Sequence, residues 1–126
     1  MGIVKTKAGQ RIIRLPKTNA LKMPVVVLVN SGTASVAELA AGTLHDTGAA
    51  DLVGGRTFGD GLMQTPLLLK DGSEAVITTG KMLTAKGTDF EGKGIKPDKE
   101  IRQISPKNDT QLEEAMRELL VKLGKA

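Results

Sequence analysis

Cysteine is absent from the chain, as are tryptophan and tyrosine. Without cysteine there is no disulfide framework, no thiolate metal site and no thiol nucleophile. The only aromatic rings are Phe58 and Phe90 and one histidine, His45. The core must therefore be built from Val, Leu, Ile, Ala and Met. The scarcity of aromatics argues against a single-stranded nucleic-acid platform, which stacks bases on aromatic side chains. The net charge is +4, but the lysines are scattered and not banked on one helix. That describes a solvated surface, not a nucleic-acid footprint, and no nucleic-acid partner is expected. No run approaches the ~20 apolar residues of a membrane span. Met1-Gly2-Ile3-Val4-Lys5 does not read as a signal peptide, because no long apolar stretch follows. A soluble chain is the expectation.

What is present is a dense stretch between Met23 and Gln64. An apolar run, Pro24 to Val29, leads into a polar corner, Asn30-Ser31-Gly32-Thr33-Ala34-Ser35. An alanine-rich helix follows from Val36 to about Leu44. A buried strand that turns sharply into a helix with a serine at the bend is one way to present a nucleophile. The serine then sits at the positive end of the helix, and the next backbone N–H is free to meet an oxyanion. The competing reading is that Ser35 is an ordinary helix N-cap, since serine is a preferred cap.

At 126 residues the sequence supports one domain, residues 1–126. Residues 2–15 read as a hairpin, with Ile3–Lys7 and Arg11–Leu15 flanking Ala8-Gly9-Gln10. Its basic residues suit an exposed edge ribbon, and residues 16–22 form a polar connector. Pro24 to Val29 is apolar on both faces, the pattern of a central parallel strand. The helix after Ser35 is expected to bury Val36, Leu39, Ala40, Thr43 and Leu44, with Gly48 just past its end. Ala50–Gly54 is a second strand, joined by a right-handed parallel crossover. Residues 55–61 are a glycine-rich loop. Leu62–Leu69 and Glu74–Leu83 form a hairpin around Lys70-Asp71-Gly72-Ser73. Residues 84–93 are loop, and Lys99 to Ile104 is a short extended piece. Residues 109–124 form an amphipathic helix, with Thr110 and Glu113 as a capping box. Leu112, Ala115, Met116, Leu119, Leu120 and Leu123 line its apolar face. Glu113/Arg117 and Glu118/Lys122 are spaced as i,i+4 pairs.

The chemistry open to these residues is narrow. Ten residues along one helix is ~15 Å of rise, so Ser35 and His45 cannot meet. A Ser-His-Asp triad is thereby disfavoured, and His45 reads as an exposed residue near a helix C-terminus. The carboxylates Asp46, Asp51, Asp60, Asp71 and Asp98 fall mostly in turns, where Asp hydrogen-bonds locally. They form no metal constellation. The loop from Gly54 to Gly61 lacks the Lys-Ser/Thr ending of a phosphate loop and reads as shaped for close backbone packing. No metal or cofactor is expected. A serine can also be activated by a lysine kept neutral through burial, but the loop carries Asp60 and no lysine.

The ordered residues resemble the carboxy-terminal processing peptidases, or tail-specific proteases. The resemblance is carried by Pro24 to Glu38, then Ala41-Gly42-Thr43-Leu44 and Gly48. It continues through Val53-Gly54, Thr57-Phe58-Gly59, Gly61, Gln64, Leu67, Asp71-Gly72, Thr78-Thr79, Thr84, Gly87, Gly94-Ile95 and Pro97-Asp98. The resemblance implies an α/β fold of crotonase or Clp-protease type, a mixed β-sheet with flanking helices. It implies a serine endopeptidase acting on protein or peptide substrates, with a Ser/Lys dyad supported by a glutamine. Ser35 falls on the nucleophile, Gln64 on the glutamine that orients the lysine, and the Val36 N–H on the oxyanion donor. For the parent protein it implies action at the bacterial cell envelope or periplasm.

Two departures limit what carries over. Where the family has Thr-Phe-Gly-Lys-Gly, this sequence has Thr57-Phe58-Gly59-Asp60-Gly61. The dyad lysine position is thus held by Asp60, and a carboxylate is a poor base for a hydroxyl. Its charge would also oppose a developing oxyanion. Lys81 and Lys86 are the nearby candidates to substitute for it. The chain also resembles only the second half of the family's catalytic domain, without a PDZ module. The missing strand would leave Pro24 to Val29 with an open edge, so self-association that covers this edge is expected. The alternative to a weak or inactive peptidase is a non-catalytic module of the same fold that binds peptide or assembles with itself.

Overall fold

The computed structural model describes residues 2–13, 23–102 and 108–125. It contains β1 (Gly2–Thr6), β2 (Gly9–Ile13), β3 (Val26–Val29), α1 (Val36–Asp46), β4 (Asp51–Gly54), β5 (Leu62–Leu68), β6 (Glu74–Leu83), β7 (Lys99–Glu100) and α2 (Thr110–Lys122). The strands form two sheets, where the sequence reading expects one mixed sheet. The larger is antiparallel with order β2-β1-β6-β5, and the smaller is parallel with order β3-β4-β7. The division follows the connections. Tight turns pair β1 with β2 and β5 with β6, whereas α1 carries the chain from β3 to a parallel β4.

Both hairpins match the sequence expectation, and β2 is an edge strand as its charges require. The connector at 16–22, and positions 14, 15, 103 and 104 of two expected extended pieces, lie outside the described residues. The expected strand at Pro24 to Val29 begins at Val26 and is not central. Among the described residues β3 is paired only with β4, so one of its edges is open. Val25 and Leu28 are correspondingly exposed.

Val29, Leu52 and Ala41 pack together with Val27 and Ile95, joining the small sheet to α1. Leu52, Val53 and Phe90 are fully buried. The expected inner face of α1 is corrected. Its buried residues are Glu38, Ala41 and Gly42; the expected Leu39 and Thr43 are half-buried, while Val36 is 66 % exposed and Leu44 and Ala40 face solvent. Gly42 fixes this face, since a Cβ there would lie 2.6 Å from Thr84 Cγ2 and 2.7 Å from Ile95 Cδ1. Gly48, at φ 69°, ends the helix as expected, with its N–H donated to His45 O.

The C-terminal helix α2 packs on β3 and β4. Its N-cap is Asp109, whose carboxylate accepts the Leu112 N–H, and not Thr110, whose hydroxyl donates to Arg102 O. Ala115 is its buried residue, while Leu112, Met116, Leu120 and Leu123 remain substantially exposed. The expected i,i+4 pairs are replaced. Arg117 pairs with Glu114, Glu118 with Lys99 and Lys122 with Asp51. Lys99 also reaches Glu114 at 3.0 Å, so β7 clamps the helix through one ammonium group.

Candidate functional site

The polar corner after β3 is a built turn. The Asn30 side chain accepts the Gly32 N–H at 2.8 Å, Thr33 Oγ1 accepts the Asn30 N–H at 3.1 Å, and the Thr33 N–H returns to Asn30 O at 2.9 Å. The turn delivers Ser35 to the start of α1 with φ 55° and ψ −124°. It is the only described non-glycine residue with positive φ. Ser35 does stand at the N-cap of α1, with Glu38 completing a capping box, but an ordinary N-cap has β-region dihedrals, and Ser35 does not. Its ψ also lies outside the small left-handed helical well. Holding such a backbone costs about 1–3 kcal/mol and persists only where neighbours over-determine it. A strained strand-to-helix serine is the geometry that exposes a nucleophilic hydroxyl. Val36 opens α1, so its N–H has no intrahelical acceptor and is available to an oxyanion.

The neighbour that determines Ser35 is Glu38, whose side chain is fully buried. Its Oε2 accepts the Ser35 N–H at 3.1 Å and the Asp60 N–H at 2.8 Å. Its Oε1 accepts the Gly59 N–H at 2.7 Å and the Thr57 hydroxyl. A buried carboxylate without partners would be costly. Here each oxygen takes two donors, and hydrogen bonds to a charged acceptor contribute about 1.5–3 kcal/mol each. Sequence reading missed Glu38, although the Ser35-x-x-Glu38 spacing is a capping-box signature.

The glycine loop is held on every side. Thr57 exchanges hydrogen bonds with Ile95, its N–H going to Ile95 O at 3.1 Å and its Oγ1 accepting the Ile95 N–H at 2.6 Å. The Phe58 N–H reaches Thr33 O at 2.9 Å, tying the loop to the serine turn. Glu91 Oε2 accepts the Gly61 N–H at 2.6 Å. A Cβ on Gly59, at φ 94°, would come within 2.7 Å of Gly94 N. The loop therefore packs backbone against backbone, as its sequence implies.

Ser35 and Asp60 are thus gathered around one carboxylate, with Val36 next in sequence to Ser35. Gln64 is not bonded to them. It lies exposed on β5, opposite Thr78 and beside a bulge at Met63/Gln64. The two candidate replacement lysines make other contacts. Lys86 donates its backbone N–H to Asp46 at 2.8 Å, at the far end of α1. Eleven helical residues separate that end from Ser35, ~16 Å of rise that a four-carbon stem cannot cross. Lys81 donates to Asp89 at 2.8 Å, and this hydrogen bond holds the Asp89 carboxyl below the usual carboxylate range.

His45 lies near the same far end of α1, with Nε2 at 2.9 Å from Asp98 Oδ1. It contributes nothing to Ser35. The expected local role of the aspartates holds for Asp71, which accepts the Ser73 N–H and hydroxyl. It does not hold for Asp98, which accepts the Leu52 N–H, or for Asp46, which accepts from Thr84 and Lys86. These two carboxylates tie distant segments together. Among the described residues no cluster of His, Asp and Glu could hold a metal. No described helix is long and apolar enough to cross a membrane.

Beside the serine turn, at the carboxyl ends of β3, β4 and β7, is an open depression of about 740 Å³ lined by Asn30, Ser31, Arg56, Ile101, Arg102 and Gln111 among others. Ligands of parallel sheets bind at such strand ends. A second depression, about 890 Å³, runs along the β1–β2 ribbon and includes none of the residues gathered at Ser35.

Comparison with known proteins agrees with this arrangement. The chain is 44 % identical over 90 residues to the chloroplastic carboxyl-terminal-processing peptidase 1 of Arabidopsis thaliana, covering 71 % of this chain and 18 % of that protein. It is 43 % identical over 95 residues to the carboxy-terminal processing protease CtpA of Bacillus subtilis, covering 75 % and 20 %. The solved photosystem II D1 C-terminal processing protease superposes with a TM-score of 0.76 at 36 % identity, over 94 % of this chain and 31 % of that one. The chain thus spans about a fifth of the length of these curated relatives. The model of peptidase family S41 matches residues 3–101, which include the serine turn, Glu38 and the whole glycine loop. With the strained serine, its supporting loop and this match in agreement, the chain belongs to peptidase family S41.

Proposed function

We propose that this chain carries the nucleophile half of a C-terminal processing serine endopeptidase with a crotonase- or Clp-protease-like core. Ser35 is the nucleophile, the Val36 N–H one oxyanion donor, and Gln64 the residue that orients the dyad base. The observation that carries the reading is the backbone of Ser35, φ 55° and ψ −124°, a strained turn that an N-cap does not need. Attack by the Ser35 oxygen on a peptide carbonyl requires a base to take the hydroxyl proton. Asp60 stands at the lysine position, and Lys81 is engaged with Asp89. The chain therefore has peptidase architecture with weak or no peptidase activity.

Asp60 itself favours the second reading, a non-catalytic module of this fold that binds peptide or self-associates. The open edge of β3 and the exposed Leu112, Met116 and Leu120 of α2 support self-association. Light scattering at micromolar concentration is expected to show an oligomer, and a monomer counts against it. By the same resemblance the parent protein acts at the cell envelope.

The experiment incubates an unstructured peptide with the parent chain, Asp60→Lys and Ser35→Ala. Cleavage confined to Asp60→Lys supports a dyad that lacks its base. Cleavage by the parent that disappears in Ser35→Ala shows that Asp60 has not disarmed it. Activity in Ser35→Ala removes the nucleophile assignment.

A further inference from the structure

We infer that Glu38 is a positioning residue that fixes the side chain at position 60 relative to Ser35. The inference deepens the reading above and rests on it for the roles of the two positions. The placement itself stands on geometry. The Ser35 and Asp60 N–H groups meet on one oxygen, Oε2, although they are 25 positions apart in sequence. The other oxygen holds Gly59 and Thr57.

One rigid group on α1 therefore sets both the strained turn and the backbone from which residue 60 projects. The side chain reaches no solvent, so water does not replace these bonds when the carboxylate is lost. An amide in its place keeps one acceptor oxygen and turns a donor toward N–H groups that need acceptors. A helix cap alone would need only the Ser35 bond. The bonds to residues 57, 59 and 60 have no capping purpose, and they make the loop follow α1. The Phe58 N–H to Thr33 O bond, 2.9 Å, is a second tie between the same two segments. It fixes loop to turn without touching Ser35 or residue 60.

The test is backbone amide hydrogen exchange on the full chain, comparing the parent with Glu38→Gln. Exchange at Ser35, Gly59 and Asp60 is expected to accelerate together, roughly tenfold or more, while the buried Leu52 and Val53 amides stay within about twofold. Acceleration at Ser35 alone reduces Glu38 to a cap and overturns the inference, as does uniform acceleration across the chain. If Glu38→Gln does not fold, the parent answers. Through-hydrogen-bond couplings from the Ser35, Gly59 and Asp60 nitrogens should all end on the Glu38 carboxyl carbon, and a missing Ser35 or Asp60 coupling overturns it.

A kinetic readout separates positioning from folding. In an Asp60→Lys background that cleaves peptide, adding Glu38→Gln is expected to lower kcat about 30-fold or more with KM within about threefold. An unchanged kcat overturns the inference. If Asp60→Lys cleaves nothing, the exchange experiment alone decides the role of Glu38.

Discussion

Lys81 donates to Asp89 at 2.8 Å, and the other oxygen of Asp89 accepts the Glu91 N–H at 3.1 Å. Glu91 in turn holds the Gly61 N–H. A lysine with the right chemistry for a base is thus used to brace the loop that lacks one. The Asp89 carboxyl is lowered first by the Lys81 hydrogen bond and further by the Glu91 backbone. Lys81→Met is expected to move the Asp89 carboxyl back up toward the ordinary 3.8, read by carbon-detected NMR titration. Because the folded value is depressed, this pair contributes stability above the ordinary value and loses it as pH falls through the folded one. The variant should therefore flatten acid unfolding below about pH 4. An unmoved Asp89 titration would show that the ion pair does not persist in solution.

The clamp of Lys99 on α2 has two pH limits. Lys99 is raised above 10.5, chiefly by Glu118 and then Glu114, and Glu114 is lowered from 4.5, chiefly by Lys99. The Lys99 contribution is complete below its unfolded value and is lost as pH rises through the folded one. The Glu114 contribution is present above its unfolded value and is lost as pH falls through the folded one. Docking of α2 should be firmest between these limits. Lys99→Gln is expected to bring Glu114 back up to the ordinary range and to speed amide exchange in α2 more than in β6. Equal exchange in both elements would mean that packing alone holds the helix.

Much of this fold was legible because its signals are local. Gly9 and Asp71-Gly72 mark turns through backbone chemistry that needs no partner, and the hairpins lie where those residues put them. The order strand, helix, strand around Ser35 was equally plain. The inner face of α1 was not. Periodicity assigns it to Val36, Leu39, Ala40, Thr43 and Leu44, but of these only Leu39 and Thr43 are half-buried, and the helix fully buries Glu38, Ala41 and Gly42. Glu38 can be inside only because donors 19 to 22 residues away reach it. No window of sequence contains that information. The cap of α2 failed for a different reason: Asp109 and Thr110 are both good caps, and geometry chose the first. At the site, Ser35 is legible as a candidate from the strand–turn–helix pattern and position 60 only from the resemblance, whereas their joint dependence on one carboxylate exists only in three dimensions.

Gly42 carries a prediction from that corrected face. A methyl group there would meet Thr84 and Ile95 at distances below ordinary contact. Thr84 is buried and bonded to Asp46, so it cannot easily give way. Gly42→Ala gains helix propensity of about 1 kcal/mol against overpacking of typically 1–3 kcal/mol. Net destabilisation is expected by urea denaturation, with an unchanged m-value. Higher stability would mean that α1 can shift off Ile95.

Ser35 gives the sharpest discrimination, because its two readings predict opposite signs. If it were an ordinary N-cap and nothing more, Ser35→Gly would cost a few tenths of a kcal/mol and Ser35→Ala about 1 kcal/mol. At φ 55° and ψ −124°, the serine instead carries strain of about 1–3 kcal/mol. Glycine adopts positive φ without that penalty. It also adds freedom to the unfolded chain, which offsets up to about 1 kcal/mol of the gain. Ser35→Gly is therefore expected to be neutral to stabilising, and more stable than Ser35→Ala, which keeps the strain and the Cβ. The comparison needs only chemical denaturation of three proteins, and it does not depend on any peptidase activity. A Ser35→Gly variant less stable than the parent by more than a few tenths of a kcal/mol would return Ser35 to the role of a cap. The expected outcome, glycine at or above serine and above alanine, means that the chain keeps a strained turn at a cost in stability, as nucleophile sites do.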